Sequence, residues 1–150
     1  MSFRFVSLIF ILLFAFSSYS QQSEFVMAEN YYNAEKFDKA KPLLLSYLKK
    51  HPSDKLTREY LGDIASYSKN WDSALSYYKA LVEEQSSSAN YHFKYGGALG
   101  MKALSISRIR ALTYIDDIKE HFHKAAKLDP KHIEVRWALI ELYLQLPGII

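Results

Sequence analysis

The sequence predicts an all-α fold, a right-handed helical solenoid of about three and a half helix-turn-helix units, on three observations. Ala28, Gly62 and Gly96 follow one another at 34-residue intervals, and Phe37/Trp71, Asp38/Asp72 and Ala40/Ala74 keep the same spacing of 34. The residues so spaced include small ones, which two antiparallel helices need where their axes cross. No segment alternates apolar and polar residues as a half-buried strand does.

The chain opens with Arg4, an apolar run from Phe5 to Phe16 and the small polar stretch Ser17-Ser18-Tyr19-Ser20, the order of a secretory signal peptide cut before Gln21. That run is shorter than the ~20 residues a spanning helix needs. Cysteine is absent, so a lipid-modified cysteine, a disulfide and a thiolate metal site are all excluded. The expectation is an exported protein, periplasmic or secreted and not a lipoprotein, with a signal peptide over 1–20 and one helical domain over 21–150. The net charge of +3 loses only Arg4 with the leader, and no run of Lys and Arg interleaves with aromatics, which argues against a nucleic-acid partner.

Helices are expected near 23–34, 37–50, 54–68, 72–84, 89–103, 107–128 and 131–146. They form units near 21–54, 55–88 and 89–132 and a half unit over 133–150. Asp38 and Asp72 are candidate caps of the second helices, Ser53 and Ser88 of the following first helices, and Pro42 is placed in a first turn. The third unit carries about ten extra residues near 103–112, because Gly96 to Pro130 spans 34 residues while Gly62 to the equivalent Ser86 spans 24. Ile109, Leu112, Ile115, Ile118, Phe122 and Ala125 recur at helical spacing, so the insertion reads as an extension of the third unit's second helix, capped by Ser105 or Ser107.

At these positions the chain resembles the tetratricopeptide-repeat (TPR) family, whose pattern is W-x2-L-G-x2-Y, then A-x3-F, then P. Leu61-Gly62, Tyr95-Gly96, Tyr31, Tyr143, Ala40/Leu44, Ala74/Tyr78, Pro52 and Pro130 carry the resemblance. Glu24, Arg58, His92 and Arg136 depart from it where the family often has Trp, and Ser86 departs from it where the family has Pro. The segments 97–104 and 144–150 resemble an exported bacterial subgroup. The last half unit, ending Pro147-Gly148-Ile149-Ile150, reads as a truncated copy that could self-associate through its uncovered helix.

The resemblance implies a non-catalytic scaffold that binds protein or peptide in a concave groove lined by first helices. Helical spacing places Phe25, Glu29, Tyr32, Glu59, Asp63, Phe93, Gly97, Trp137 and Glu141 in that column, with Ser66, Gly100 and Leu144, flanked by Tyr60, Tyr67 and Lys94. Aromatic and acidic residues together suit a basic, aromatic partner. A carboxylate-clamp activity is not expected, because of Phe25, Glu29, Tyr60, Asn90 and Lys94 only the last two are compatible with it. Competing readings are a structural subunit of an envelope assembly and membrane-surface attachment through Lys102, Arg108 and Arg110.

No catalytic residue, metal or cofactor is expected. The three Ser-x-x-Lys matches, at Ser46/Lys49, Ser66/Lys69 and Ser76/Lys79, lack the partner motifs of a serine nucleophile. His121 and His123 point to different helix faces and read as surface histidines. Gly96-Gly97-x-x-Gly100 falls inside a helix, where a dinucleotide loop cannot form. Gly97 and Gly100 read as room for closer packing against the displaced second helix or, alternatively, for close approach of a ligand backbone.

Overall fold

The structure, a computed structural model, describes residues 24–145. The expected signal peptide and the terminal Pro147-Gly148-Ile149-Ile150 lie outside the described residues. Helix α1 covers 24–33, α2 Phe37–Lys50, α3 Lys55–Tyr67, α4 Trp71–Glu84, α5 Ala89–Leu104, α6 Arg108–Ala111, α7 Ile115–Leu128 and α8 Ile133–Gln145. A 3₁₀ turn, Leu112–Tyr114, joins α6 to α7. There is no strand among the described residues. The described residues divide into two compact units, one ending at Tyr60 and the other beginning at Leu61.

The 34-residue period reappears as backbone geometry. Glu35 and Lys69, 34 apart, both adopt a left-handed backbone, with φ of 54° and 55°. Each closes the same Schellman turn: Lys36 N–H donates to Tyr31 O at 2.8 Å, and Asn70 N–H to Ala65 O at 2.8 Å. The turn between units repeats too, as Asp54 N–H to His51 O, Ser88 N–H to Gln85 O and His132 N–H to Asp129 O.

The residues that replace the family tryptophan explain themselves at this turn. Arg58 Nη2 donates to Pro52 O and Arg136 Nη2 to Pro130 O, while His92 Nε2 lies 3.0 Å from Ser86 O. Each therefore ties down a carbonyl six residues earlier. Glu24 takes a different partner, Lys50, whose ammonium holds the carboxyl below its ordinary pKa by a hydrogen bond, assisted by Ser46.

Several sequence expectations need correction. The second helices α2 and α4 are capped from Lys36 and Asn70; only Asn70 offers a side-chain cap, to Ser73 N–H at 3.2 Å. Asp38 and Asp72 sit instead in the first turns, where a carboxylate complements the helix dipole. Asp54, rather than Ser53, caps α3 by accepting from Thr57 N–H at 2.7 Å, whereas Ser88 does cap α5, accepting from Tyr91 N–H at 3.3 Å. Pro42 lies inside α2, where it removes one backbone bond.

The insertion also differs from its expected form. Helix α7 keeps the 14 residues of α2 and α4, so it is not extended. The extra length is instead divided: α5 has 16 residues against 13 in α3, and the connector 105–114 contains its own short helix and a 3₁₀ turn. Ser105 ends α5, its hydroxyl donating to Lys102 O at 2.7 Å, and Ser107 starts α6 without a side-chain cap.

In the first unit Ala28, Ala40 and Leu44 are fully buried. In the second, one cluster gathers Ala65, Ala74, Tyr78, Leu81 and Ala98, and another Leu99, Ile118, Phe122, Ala125 and Val135. Burying each large side chain contributes roughly 1.5–3 kcal/mol. The helix crossings match small against large: a Cβ on Gly62 would stand 2.5 Å from the Tyr78 ring, and one on Gly96 2.9 Å from the Phe122 ring. At the equivalent place in the first unit Ala28 is paired in register with the smaller Leu44.

Candidate functional site

In the first unit, α1 and the start of α3 bring four of the expected groove residues together. The Tyr60 ring stacks on Tyr32 at 4.0 Å and on Phe25 at 6.5 Å, and its hydroxyl donates to Glu29 at 2.8 Å. Phe25 also meets Tyr47 at 4.9 Å. Helical spacing of seven, from Phe25 to Tyr32, sets both rings on one face of α1. Glu59, beside Tyr60 on α3, is half-buried.

In the second unit, Asp63 on α3 accepts from Tyr78 Oη at 2.6 Å and from Lys94 Nζ at 2.7 Å, a bidentate ion pair linking α3 to α5. The Lys94 ammonium also lies 6.0 Å from the Tyr78 ring centre. Asp63 and Lys94 thereby neutralise one another. Phe93 packs on Phe122 at 6.2 Å and on His132 at 4.9 Å. Tyr67 and Trp137 project into solvent, and exposed Glu141 accepts from the Gln145 amide at 3.2 Å.

Gly97 and Gly100 stand on a bare face. A Cβ at either position meets nothing within 4 Å, so closer packing against the second helix does not account for them. Each nonetheless weakens the helix by ~1 kcal/mol relative to alanine.

The opposite side of α5 holds a pairing that the sequence reading missed. His92 Nδ1 and His121 Nδ1 are 2.8 Å apart, and the buried His92 is fixed by Ser86 O on its other nitrogen. In the neutral pair, His92 carries its proton on Nε2 and accepts on Nδ1, which assigns the Nδ1 proton to His121. His121 is half-buried rather than a surface residue, and burial first, then His92, lowers its pKa, opposed by Glu120 and Asp117. His123 is exposed, its Nε2 2.9 Å from Tyr143 Oη. The one sequence signal for the pair was that His121 directly precedes Phe122, a crossing residue.

Helical hairpins of one repeating register define a helical-repeat protein. Residues 25–89 match the family model described as "Tetratricopeptide repeat". Solved structures share the fold. A thermophilic TPR protein of Thermus thermophilus superposes with a TM-score of 0.72 at 17% identity, over 83% of this chain and 65% of that one. The first TPR of Spaghetti (RPAP3), bound to the HSP90 peptide SRMEEVD, gives 0.68 at 15% identity, over 83% and 91%. MamA of AMB-1 gives 0.65 at 21% identity, over 81% and 61%. The chain thus spans under two thirds of the Thermus protein and of MamA. No curated protein matches it in sequence.

Proposed function

We propose that the chain is a non-catalytic adaptor that holds a peptide or protein segment along the bare face of α5. The observation that carries this reading is the pair Gly97 and Gly100, which weaken α5 and contact no neighbouring side chain. A ligand backbone can approach a glycine surface closely, which gives the lost stability a use. The Spaghetti domain, similar in fold, holds a peptide, which supports a partner of that kind.

The partner's chemistry is basic and aromatic. Lys94 is already neutralised by Asp63, so an acidic peptide finds no unbalanced cation there. The first unit by itself groups Glu29 with Phe25, Tyr32 and Tyr60, a set that suits lysine or arginine beside apolar side chains. The order of Arg4, Phe5–Phe16 and Ser17–Ser20 supports export with cleavage before Gln21; N-terminal sequencing of secreted or periplasmic protein tests it, and an N-terminus at Met1 would contradict it.

Peptide arrays probed with the chain and with Gly97→Leu test the binding face. The reading predicts capture of basic, aromatic peptides by the parent and its loss in Gly97→Leu at a melting temperature no lower than the parent's. Equal capture by both would overturn the placement.

A second reading, attachment to a membrane surface, is favoured by the exposure of Leu104, Ile109 and Leu112 beside Arg108 and Arg110. No helix of the described residues is long and apolar enough to cross a membrane. Sedimentation with anionic vesicles, abolished by Ile109→Glu, would favour this reading, and failure to sediment would remove it.

A further inference from the structure

The packed side of α5 carries a titratable pair that the peptide-binding reading does not use. His92 Nδ1 and His121 Nδ1 are 2.8 Å apart and the two ring centres 5.0 Å, a difference of two ring radii, so the imidazoles meet head to head where α5 packs on α7. That arrangement suits one shared hydrogen. A metal ion does not fit between them, since zinc–nitrogen bonds of ~2 Å each would part nitrogens aimed at one another well beyond 2.8 Å. The pair also lies at the helix crossing, because His121 Cβ stands 3.3 Å from where a Cβ on Gly96 would be, and Phe122, the next residue, fills that crossing. Separating the rings therefore means moving the helices.

The two rings have a place for one added proton and none for a second. His92 is buried and holds Ser86 O through Nε2 at 3.0 Å, so Nδ1 is its acceptor. His121, half-buried, donates from Nδ1 and keeps Nε2 to take a proton from water. That first proton leaves the hydrogen bond in place and strengthens it, because an imidazolium is the better donor. A second proton has only His92 Nδ1 to go to. It would set N–H against N–H at 2.8 Å and two positive charges in one contact, which α5 and α7 escape only by parting. The surrounding groups keep this order. Burial first, then His92, opposes protonation of His121, while Glu120 beside it and Asp117 one turn earlier favour it. Lys124, one turn later, is exposed. From α5, Tyr95 meets the His121 ring edge-on at 4.6 Å, and its phenol is held protonated, above its ordinary value, by burial and then by Asp117, Glu83 of α4 and Tyr114 of the connector.

We propose that His92 and His121 form an acid-released latch between α5 and α7, closed while the pair holds no added proton or one and open once it takes two. The protons belong to the pair rather than to either residue. Release is local, because α5 also packs on α4 through Ala74, Tyr78, Leu81 and Ala98, a cluster that neither histidine joins. Opening frees the apolar side of α7, Ile118 and Phe122, from Leu99. Histidine suits such a switch because it takes up a proton in mild acid. The inference is independent of the peptide-binding reading, which concerns the bare side of α5.

Hydrogen–deuterium exchange of the full chain, read by mass spectrometry and corrected for the pH dependence of intrinsic exchange, tests this. From neutral pH to about pH 5, protection of α7 should fall by about tenfold per pH unit for each proton the closed pair refuses, while protection of α4 holds. His121→Asn sets an amide at the reach of Nδ1 that donates to neutral His92 and, turned over, accepts from protonated His92, so its latch should stay closed over the same range. His123→Asn, at an exposed histidine two residues on, should follow the parent. Should His121→Asn fail to fold, ring NMR of the parent's histidines supplies a measurement that needs no variant, since the second protonation of the pair should coincide with the loss of α7 protection. Equal loss of protection in α4 and α7, protection of α7 that does not change with pH, a parent-like loss in His121→Asn, or a second protonation that leaves α7 protected would overturn the proposal.

Discussion

Gly96 and Gly97 are neighbours on α5 with opposite reasons for being glycine. At Gly96 the Phe122 ring stands where a side chain would begin, with His121 Cβ at 3.3 Å, so the residue is small because the helices cross there. At Gly97, as at Gly100 one turn on, the same test finds open space. Identical residues one position apart therefore differ in role: one sets the distance between α5 and α7, and the other leaves the surface of α5 flat. The repeat register already set Gly96 at a crossing and Gly97 on the other face, but it left open whether Gly97 meets a neighbour, because a glycine's cost to a helix is the same on both faces.

The comparison breaks most visibly if a crossing glycine is enlarged. Gly62 is the tightest crossing, and Gly62→Leu should lose stability at or beyond the upper end of the ~1–3 kcal/mol range for overpacking, read as a collapse of the thermal transition. Leucine at the exposed Lys69 side of α3's end would not be an equal control, because Lys69 has positive φ. Leucine at Gly97 is the better one, and its melt should lie at or above the parent's.

Mild acid probes the packed face of α5 through His121. His121 resists protonation when folded and accepts a proton freely when unfolded, so the unfolded chain binds more protons as pH falls. Stability should therefore be full above about pH 6.5, the ordinary histidine value, and decline below it. Denaturant titrations of the parent and His121→Phe from neutral to mildly acidic pH should show a steeper loss in the parent. Parallel pH profiles would remove the pair from the stability account.

A smaller effect sharpens the repeat geometry. Lys69 occupies a left-handed backbone that glycine adopts without penalty, so Lys69→Gly should gain up to about 1 kcal/mol by chemical denaturation. Glu35→Gly, 34 residues earlier and at the same turn, should gain a similar amount. Losses at both sites would show that the turn is not strained.

The repeat was legible because Gly62 and Gly96 obey a geometric requirement that sequence spacing records directly. Side-chain networks were not: the Asp63–Lys94 bridge joins residues 31 apart on adjacent first helices, and spacing within one helix carries no information about it. Its consequence is electrostatic, since Asp63 counts as acidic in sequence and as half of a neutral pair in the fold. The break before α7 was hidden for another reason. The 3₁₀ turn at Leu112–Tyr114 keeps Leu112 and Ile115 near one face, so the apolar spacing runs through it, while Thr113 Oγ1 donates to Arg110 O at 2.8 Å.

The claim that α5 has one packed face and one kept bare is tested most directly by a single pair of thermal denaturation curves, Gly96→Ala against Gly97→Ala. Alanine relieves ~1 kcal/mol of helix penalty at both sites, but at Gly96 it must also displace the Phe122 ring. The account predicts opposite signs, a melting temperature lowered by Gly96→Ala and raised by Gly97→Ala. A shift of the same sign in both variants would contradict it.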